Sequence, residues 1–118
     1  MKKIYFLKTC DTCKKILKTI PALESFTLQN IKEEPVTEQQ LQEMYELSGS
    51  YESLFNKRSK LYKELDLKNK DLGEKDYKKY ILEHYTFLNR PVILVNGNIF
   101  IGNSPKTIQA LLNFLSNS

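Results

Sequence analysis

Apolar and polar positions follow two alternating periods along this chain, and the changes of period mark its elements. Lys3–Leu7 (KIYFL) is a short run of aromatic and branched residues suited to a buried strand. Cys10-Asp11-Thr12-Cys13 follows, and then Ile16, Leu17 and Ile20 recur at helical spacing across Lys14–Ile20. Asp11 or Thr12 is placed to cap that helix, and Pro21 limits its extension. Ser25–Ile31 alternates Phe26 and Leu28 with polar neighbours, the pattern of a second strand. Strand, cysteine turn, helix and strand in this order predict a βαβ unit.

The middle of the chain reads as helix. Thr37 with Gln40 three residues on forms a capping box, and Leu41, Met44, Tyr45 and Ser48 then fall near one face, up to Gly49. Tyr51–Leu65 predicts one or two short helices around Asn56-Lys57-Arg58-Ser59. Glu74–Tyr85 puts Tyr77, Tyr80, Ile81 and His84 on one stripe of a further helix. Asn89-Arg90-Pro91 leads into an apolar strand at Val92–Val95, and Asn96-Gly97 is a strong hairpin signal before Asn98–Ile101. Pro105 opens a last helix whose expected buried positions are Ile108, Leu111, Leu112 and Leu115. A βαβ unit at one end and a hairpin plus helix at the other make an α/β chain with the thioredoxin arrangement. The expected organisation is a single domain over 1–118, with a core at about 1–31 and 88–118 and a helical insertion at about 37–87.

Composition narrows the class. A chain of 118 residues with 41% hydrophobic and 27% charged content is large enough to bury a core of its own. No apolar run approaches the roughly 20 residues of a membrane span, and the start MKKIYFLK is too short in apolar residues for a signal peptide. The expected location is cytoplasmic, with no membrane partner. Net charge is +4, but unevenly spread: residues 1–23 hold six lysines against Asp11, residues 24–52 hold seven glutamates against Lys32, and residues 57–90 are basic again. A lysine-rich solvated surface accounts for this, because no zinc finger, RNA-binding aromatic motif or glycine-rich phosphate loop accompanies it.

The chemistry concentrates in the single Cys-x-x-Cys. It lies directly after a strand and opens a helix, where unpaired amide N–H groups and the helix dipole favour a thiolate. Cys10 is expected as the exposed nucleophile and Cys13, inside the first turn, as the resolving thiol that attacks a mixed disulfide. Lys14 and Lys15 add positive charge nearby. A zinc site would need two further ligands, and the chain offers only His84 besides, so no metal is expected. Inert buried cysteines fit poorly with the polar Thr9, Asp11 and Thr12 around them, and a cytosolic chain argues against a structural disulfide.

Two arginines stand among sixteen lysines. Arg90, before Pro91 at a strand entry, faces the cysteine loop in a thioredoxin arrangement and is placed to hold an anion against Cys10. Arg58 is the second candidate, arginine suiting bidentate oxyanion binding. His84 on an apolar helical face is expected to be a packing residue.

Four ordered stretches, IYFLKTCDTCKK, NIKEEPVTEQQL, LFNKRSKLYKEL and LNRPVILVNGNIFIGNSPKTI, resemble successive signatures of the ArsC/Spx family and cover nearly the whole chain. The resemblance implies an ArsC-like thioredoxin fold with a helical insertion. Arsenate reductases of the family attack arsenate with a cysteine at the position of Cys10, bind the oxyanion with arginines and recycle with glutathione and glutaredoxin. The match puts Arg90 on the family's arginine before a cis proline, so Pro91 is expected to be cis. The site implied has Cys10, Cys13 and Arg90 as catalytic residues and Arg58, Lys14, Thr12 and Pro91 toward the substrate anion.

The chain departs from the reductase pattern in several places. Phe6-Leu7-Lys8 replaces the His-Asn-Pro run before the cysteine, Cys13 stands for a serine and Lys14 for an arginine, and no arginine lies near Gly102-Asn103. Arg58-Ser59 matches the Arg-Ser pair of the Spx branch instead. The leading expectation is a monomeric thiol oxidoreductase of arsenate reductase type acting on a small oxyanion or thiol substrate. No cofactor is bound in this reading; glutathione serves as co-substrate, and glutaredoxin or thioredoxin as reductant. The alternative is an Spx-like redox-sensing transcription regulator that binds the C-terminal domain of the RNA polymerase α subunit near Gly49.

Overall fold

A computed structural model describes residues 1–117. The chain divides into two compact units, residues 1–34 with 90–118 and residues 35–89.

The first unit is built on a four-stranded mixed sheet in the order β2-β1-β3-β4. Strand β1 (Lys2–Phe6) is followed by helix α1 (Asp11–Thr19), a 3₁₀ turn at Leu23–Ser25 and strand β2 (Thr27–Asn30). β1 and β2 are parallel, Ile4 opposite Leu28 and Phe6 opposite Asn30, so the helix is the crossover that a parallel pair requires. β3 (Val92–Val95) runs antiparallel to β1 and pairs with β4 (Asn98–Ile101). The turn between them is the Asn-Gly pair, both residues at positive φ (47° and 84°), the two-residue geometry that matches strand twist. Helix α6 (Pro105–Ser116) starts with Pro105 in its first turn and Ser104 as cap, accepting from the Thr107 N–H at 3.1 Å. Strand–helix–strand followed by hairpin and helix is the order of a thioredoxin-like core.

One face of this sheet packs against the two helices. Ile4, Ile93 and Val95 of the strands meet Ile16 of α1, Ile20 just after it and Leu111 of α6, with Phe26 in the same cluster. Ile108, Phe114 and Leu115 pack against it only partly buried. The α6 stripe therefore includes Phe114, whose ring lies 5.7 Å from that of Phe100, in place of the expected Leu112. Leu28, expected to alternate into the core, is 44% exposed while Gln29 is 1% exposed. β2 is an edge strand, and its buried side chain is the one whose amide donates to the Glu34 carbonyl at 2.9 Å.

The second unit contains α2 (Glu38–Ser48), α3 (Tyr51–Leu54), α4 (Lys60–Glu64) and α5 (Glu74–Glu83), with 3₁₀ turns at Leu67–Asn69 and Tyr85–Phe87. The Thr37–Gln40 capping box is present, and Gly49 ends α2 in the left-handed conformation at φ 76°. Short helices depend on distant side chains for their ends. The Glu74 carboxylate takes the Tyr51 and Glu52 N–H groups at 2.7 and 3.1 Å, closing the start of α3. Phe55 is ringed by Tyr62, Tyr77, Tyr80 and Phe87, stacked on Phe87 at 5.3 Å. His84 lies outside the expected helical stripe. It ends α5 with an extended backbone, and its Nδ1 accepts from the Thr86 N–H at 3.1 Å while its ring stacks on Tyr85.

Candidate active site

The β1–α1 connection carries the cysteine pair. A backbone bond from Cys10 N–H to the Leu7 carbonyl, 3.0 Å, closes the turn after β1. The helix begins at Asp11, earlier than the apolar spacing predicts, because its first turn packs only one side chain, Cys13. Cys10 is itself the cap residue, in an extended conformation, and makes no cap bond of the kind that Thr37 makes with its oxygen. The amides that an oxygen cap would take, those of Thr12 and Cys13, act on the Cys10 sulfur instead.

Both thiols are reduced, Cys10 half-buried and Cys13 fully buried. Partial burial works against the Cys10 thiolate. The neighbouring Cys13 amide and thiol and the Thr12 amide, with the positive charge of Arg90, favour it and outweigh burial, and the Cys10 pKa lies below the ordinary thiol value. Cys13 goes the other way. Burial pushes its thiol up to about 11; the Leu7 amide and Arg90 oppose this, and the negative charge of Cys10 and the hydrogen bond to it reinforce it. The two thiols are thus pushed in opposite directions, Cys10 toward the thiolate and Cys13 toward the protonated thiol.

Arg90 sits at the entry of β3, and the Arg90–Pro91 peptide is cis. Pro91 is buried, and its carbonyl accepts the Gly102 N–H at 2.9 Å, which ties the start of the hairpin to its end. Of the residues singled out in the sequence, Cys10, Cys13, Thr12 and Arg90 therefore act on one another. Thr12 contributes through its backbone amide, its side chain being exposed. Lys14 is exposed and is not among the groups that set the Cys10 charge, water screening its ammonium. Arg58 belongs to the helical unit, exposed between the buried Asn56 and Ser59, with its amide on the Asn56 side-chain oxygen at 3.0 Å. Ser59 is anchored by its hydroxyl on Thr86 at 3.1 Å. The Leu7 amide is a contributor that sequence reasoning missed, and no residue pattern marks a backbone N–H aimed at a sulfur.

Comparison with known proteins gives the family and the fold. The ArsC family model matches residues 5–111. The chain is 27% identical over 111 residues to an arsenate reductase of Haemophilus influenzae, covering 85% of this chain and 91% of the relative. It is 26% identical over 112 residues to the global transcriptional regulator Spx 2 of Bacillus anthracis, covering 92% of this chain and 85% of that protein. Among solved structures, an arsenate reductase from Vibrio cholerae superposes with a TM-score of 0.74 at 22% identity, over 92% of this chain and 95% of the other. That likeness establishes the thioredoxin-like fold. With the match running from Tyr5 through the cysteine pair and the β3–β4 hairpin to Leu111, the chain belongs to the ArsC family.

Proposed function

We propose that this protein is a thiol oxidoreductase of arsenate reductase type in which Cys10 is the nucleophile and Cys13 the resolving thiol. The observation that carries the reading is the pair of free cysteines at the start of α1 after β1, Cys10 half-buried and Cys13 buried, with burial pushing the Cys13 thiol up to about 11 and Cys10 shifted downward. A thiolate is the competent nucleophile, and a protonated neighbour keeps the second sulfur in reserve until the first is consumed.

With arsenate as substrate, the Cys10 thiolate attacks arsenic and a hydroxyl leaves as water, forming a sulfur–arsenic bond. Cys13, losing its proton, attacks the Cys10 sulfur; the sulfur–arsenic electron pair stays on arsenic, which leaves as arsenite. The product is a Cys10–Cys13 disulfide, and arsenic(V) has been reduced by two thiols. An external dithiol, glutaredoxin or thioredoxin, or glutathione as co-substrate, then returns both cysteines to thiols and is itself oxidised. Arg90 balances negative charge at Cys10 and on the oxyanion, and Thr12, Lys14 and Pro91 are assigned to the same anion. Arg58 is an anion-binding candidate only on the chemistry of its guanidinium, its Arg-Ser pair being that of the Spx branch.

Arsenate reduction coupled to glutathione and glutaredoxin, or to thioredoxin, tests the proposal. Turnover is expected for the native chain and a loss of at least about a thousandfold for Cys10→Ser. Equal rates in the two remove arsenate reduction by this thiol.

A second reading is favoured by the match to an Spx regulator across most of the chain. In it the same pair switches binding to the C-terminal domain of the RNA polymerase α subunit. Retention of that domain by the native chain, lost on Gly49→Arg and dependent on the redox state of Cys10 and Cys13, would replace the enzyme by the regulator. Gly49 has φ 76°, so the variant's folding is checked by circular dichroism alongside.

A further inference from the structure

A groove beside the cysteine loop takes no part in the chemistry of the pair. It has a volume of about 670 Å³ and is lined by Phe6, Lys8, Leu28, Asn30, Glu33 and Glu34, all in the sheet unit. The β1–β2 register builds its floor. Residues 4, 6, 28 and 30 share one sheet face, where Ile4 is covered by Ile16, Ile20 and Leu111, while Leu28 stays 44% exposed. β2 is at the edge of the sheet and, among the described residues, pairs with β1 alone. The following turn closes one end of that edge, the Asn30 carbonyl taking the Glu33 and Glu34 N–H groups at 3.1 and 2.8 Å, and Gln29 is buried, so the exposed stretch of β2 is Thr27-Leu28. The groove is joined to the loop, since the Lys8 amide donates to the Asn30 side-chain oxygen at 3.1 Å. Lys8 is two residues from Cys10, a span of at most about 7 Å.

The charges select the occupant. Two carboxylates, Glu33 and Glu34, face one ammonium, Lys8, around an apolar floor. Glutathione has two carboxylates and one ammonium of its own and no apolar side chain, so its net negative charge meets a net negative rim. An extended polypeptide with an apolar residue followed by a basic one complements floor and rim together.

We propose that this groove seats an extended segment of a protein thiol partner, its apolar side chain on Phe6 and Leu28 and its lysine or arginine against Glu33 and Glu34, bringing a cysteine two or three residues away over Cys10. The inference rests on the thiol exchange proposed above and selects a protein dithiol over glutathione as the reductant. In the exchange, a partner thiolate attacks the Cys10 sulfur of the Cys10–Cys13 disulfide. Cys13 leaves with the electron pair and takes a proton; the partner's second thiol then displaces Cys10 and leaves the partner as a disulfide.

Two measurements test it. The first uses fluorescein-labelled octapeptides without sulfur, one alternating valine with lysine and one alternating valine with glutamate, read by anisotropy on the reduced chain. The lysine peptide is expected to bind saturably, at least tenfold more tightly than the glutamate peptide, and to lose at least tenfold in affinity on Leu28→Glu or on Glu33→Lys with Glu34→Lys. Equal binding of the two peptides, or affinity unmoved by either variant, overturns the proposal. The second follows reduction of the Cys10–Cys13 disulfide by thioredoxin and by glutathione. Leu28→Glu is expected to raise KM for thioredoxin about tenfold and leave the glutathione rate unchanged; a parallel fall in both overturns it, as does a dimer dispersed by Leu28→Glu in sedimentation. Because the peptides carry no sulfur, an unreactive Cys10 would defeat the exchange reading while the anisotropy still decides the groove.

Discussion

The sheet unit and the helical unit satisfy their backbone polar groups by different means, and the difference bears on where the chemistry lies. In the sheet unit, ladders between β2, β1, β3 and β4 pair the strands, and the two helices add one apolar stripe each. The helical unit has helices of 11, 4, 5 and 10 residues, too short to stand alone, and side chains close their ends: Thr37 and Gln40 at α2, Ser50 and Glu74 at α3. Every such oxygen occupies amides that would otherwise face water. At α1 the cap position holds a sulfur, and the Thr12 and Cys13 amides serve a thiolate. One unit uses its helix starts for stability, and the other leaves one for reactivity.

The largest expected departure from this contrast comes with pH. Cys13 has a folded pKa of about 11, above the ~8.5 of an unfolded cysteine, so its contribution to stability is complete below that unfolded value and is lost as pH rises through about 11. Cys10 is depressed, and its contribution is present above the unfolded value and lost as pH falls through the folded one. Urea denaturation of the reduced chain should therefore show stability falling between about pH 8.5 and 11, on the order of a few kcal/mol. Cys13→Ala should flatten that slope; an equal slope in the variant would mean that the buried thiol does not set it.

Next in size is the helical unit's dependence on caps. Glu74→Ala removes the acceptor for two amides at the start of α3 and should cost about 1–2 kcal/mol in the same denaturation experiment. A variant as stable as the native chain would show that water replaces the carboxylate, and the contrast between the units would narrow.

The smallest effect concerns the site itself. Arg90→Ala removes a charge that favours the Cys10 thiolate, so the inflection of alkylation rate against pH should move upward from a native position below about 8.5. An inflection that stays in place would assign the activation to the helix amides alone.

Elements with a strong local cause were legible before any coordinates. The Asn96-Gly97 turn needs two positive φ values, which favours this dipeptide, and the Thr37–Gln40 box is a local reciprocal bond. Both are where the pattern placed them, as are β3 and β4. Features that depend on neighbours were not legible. Leu28 has the alternation of a core residue, yet β2 ends the sheet and leaves it in water. His84 continues the apolar stripe of α5, yet its backbone turns extended where its ring meets Tyr85 and its Nδ1 meets Thr86. Phe114 looked no different from Leu112 until Phe100 fixed which way the last turn of α6 faces.

The same line divides the site. The sequence alone determined that two cysteines three residues apart open a helix after a strand, and that an arginine precedes the proline of a later strand, because spacing and helix-start chemistry are local properties of the chain. Helix-start spacing also pointed to Cys10 as the more exposed thiol; what pushes the two thiol pKa values apart was decided by tertiary structure. The fold buries Cys13 and leaves Cys10 half-open, turns the Leu7, Thr12 and Cys13 amides onto the two sulfurs, and sets the charge of Arg90 to act on both. Desolvation and Coulomb attraction depend on distances through space, and those exist only once the ends of the chain have been brought together in one sheet.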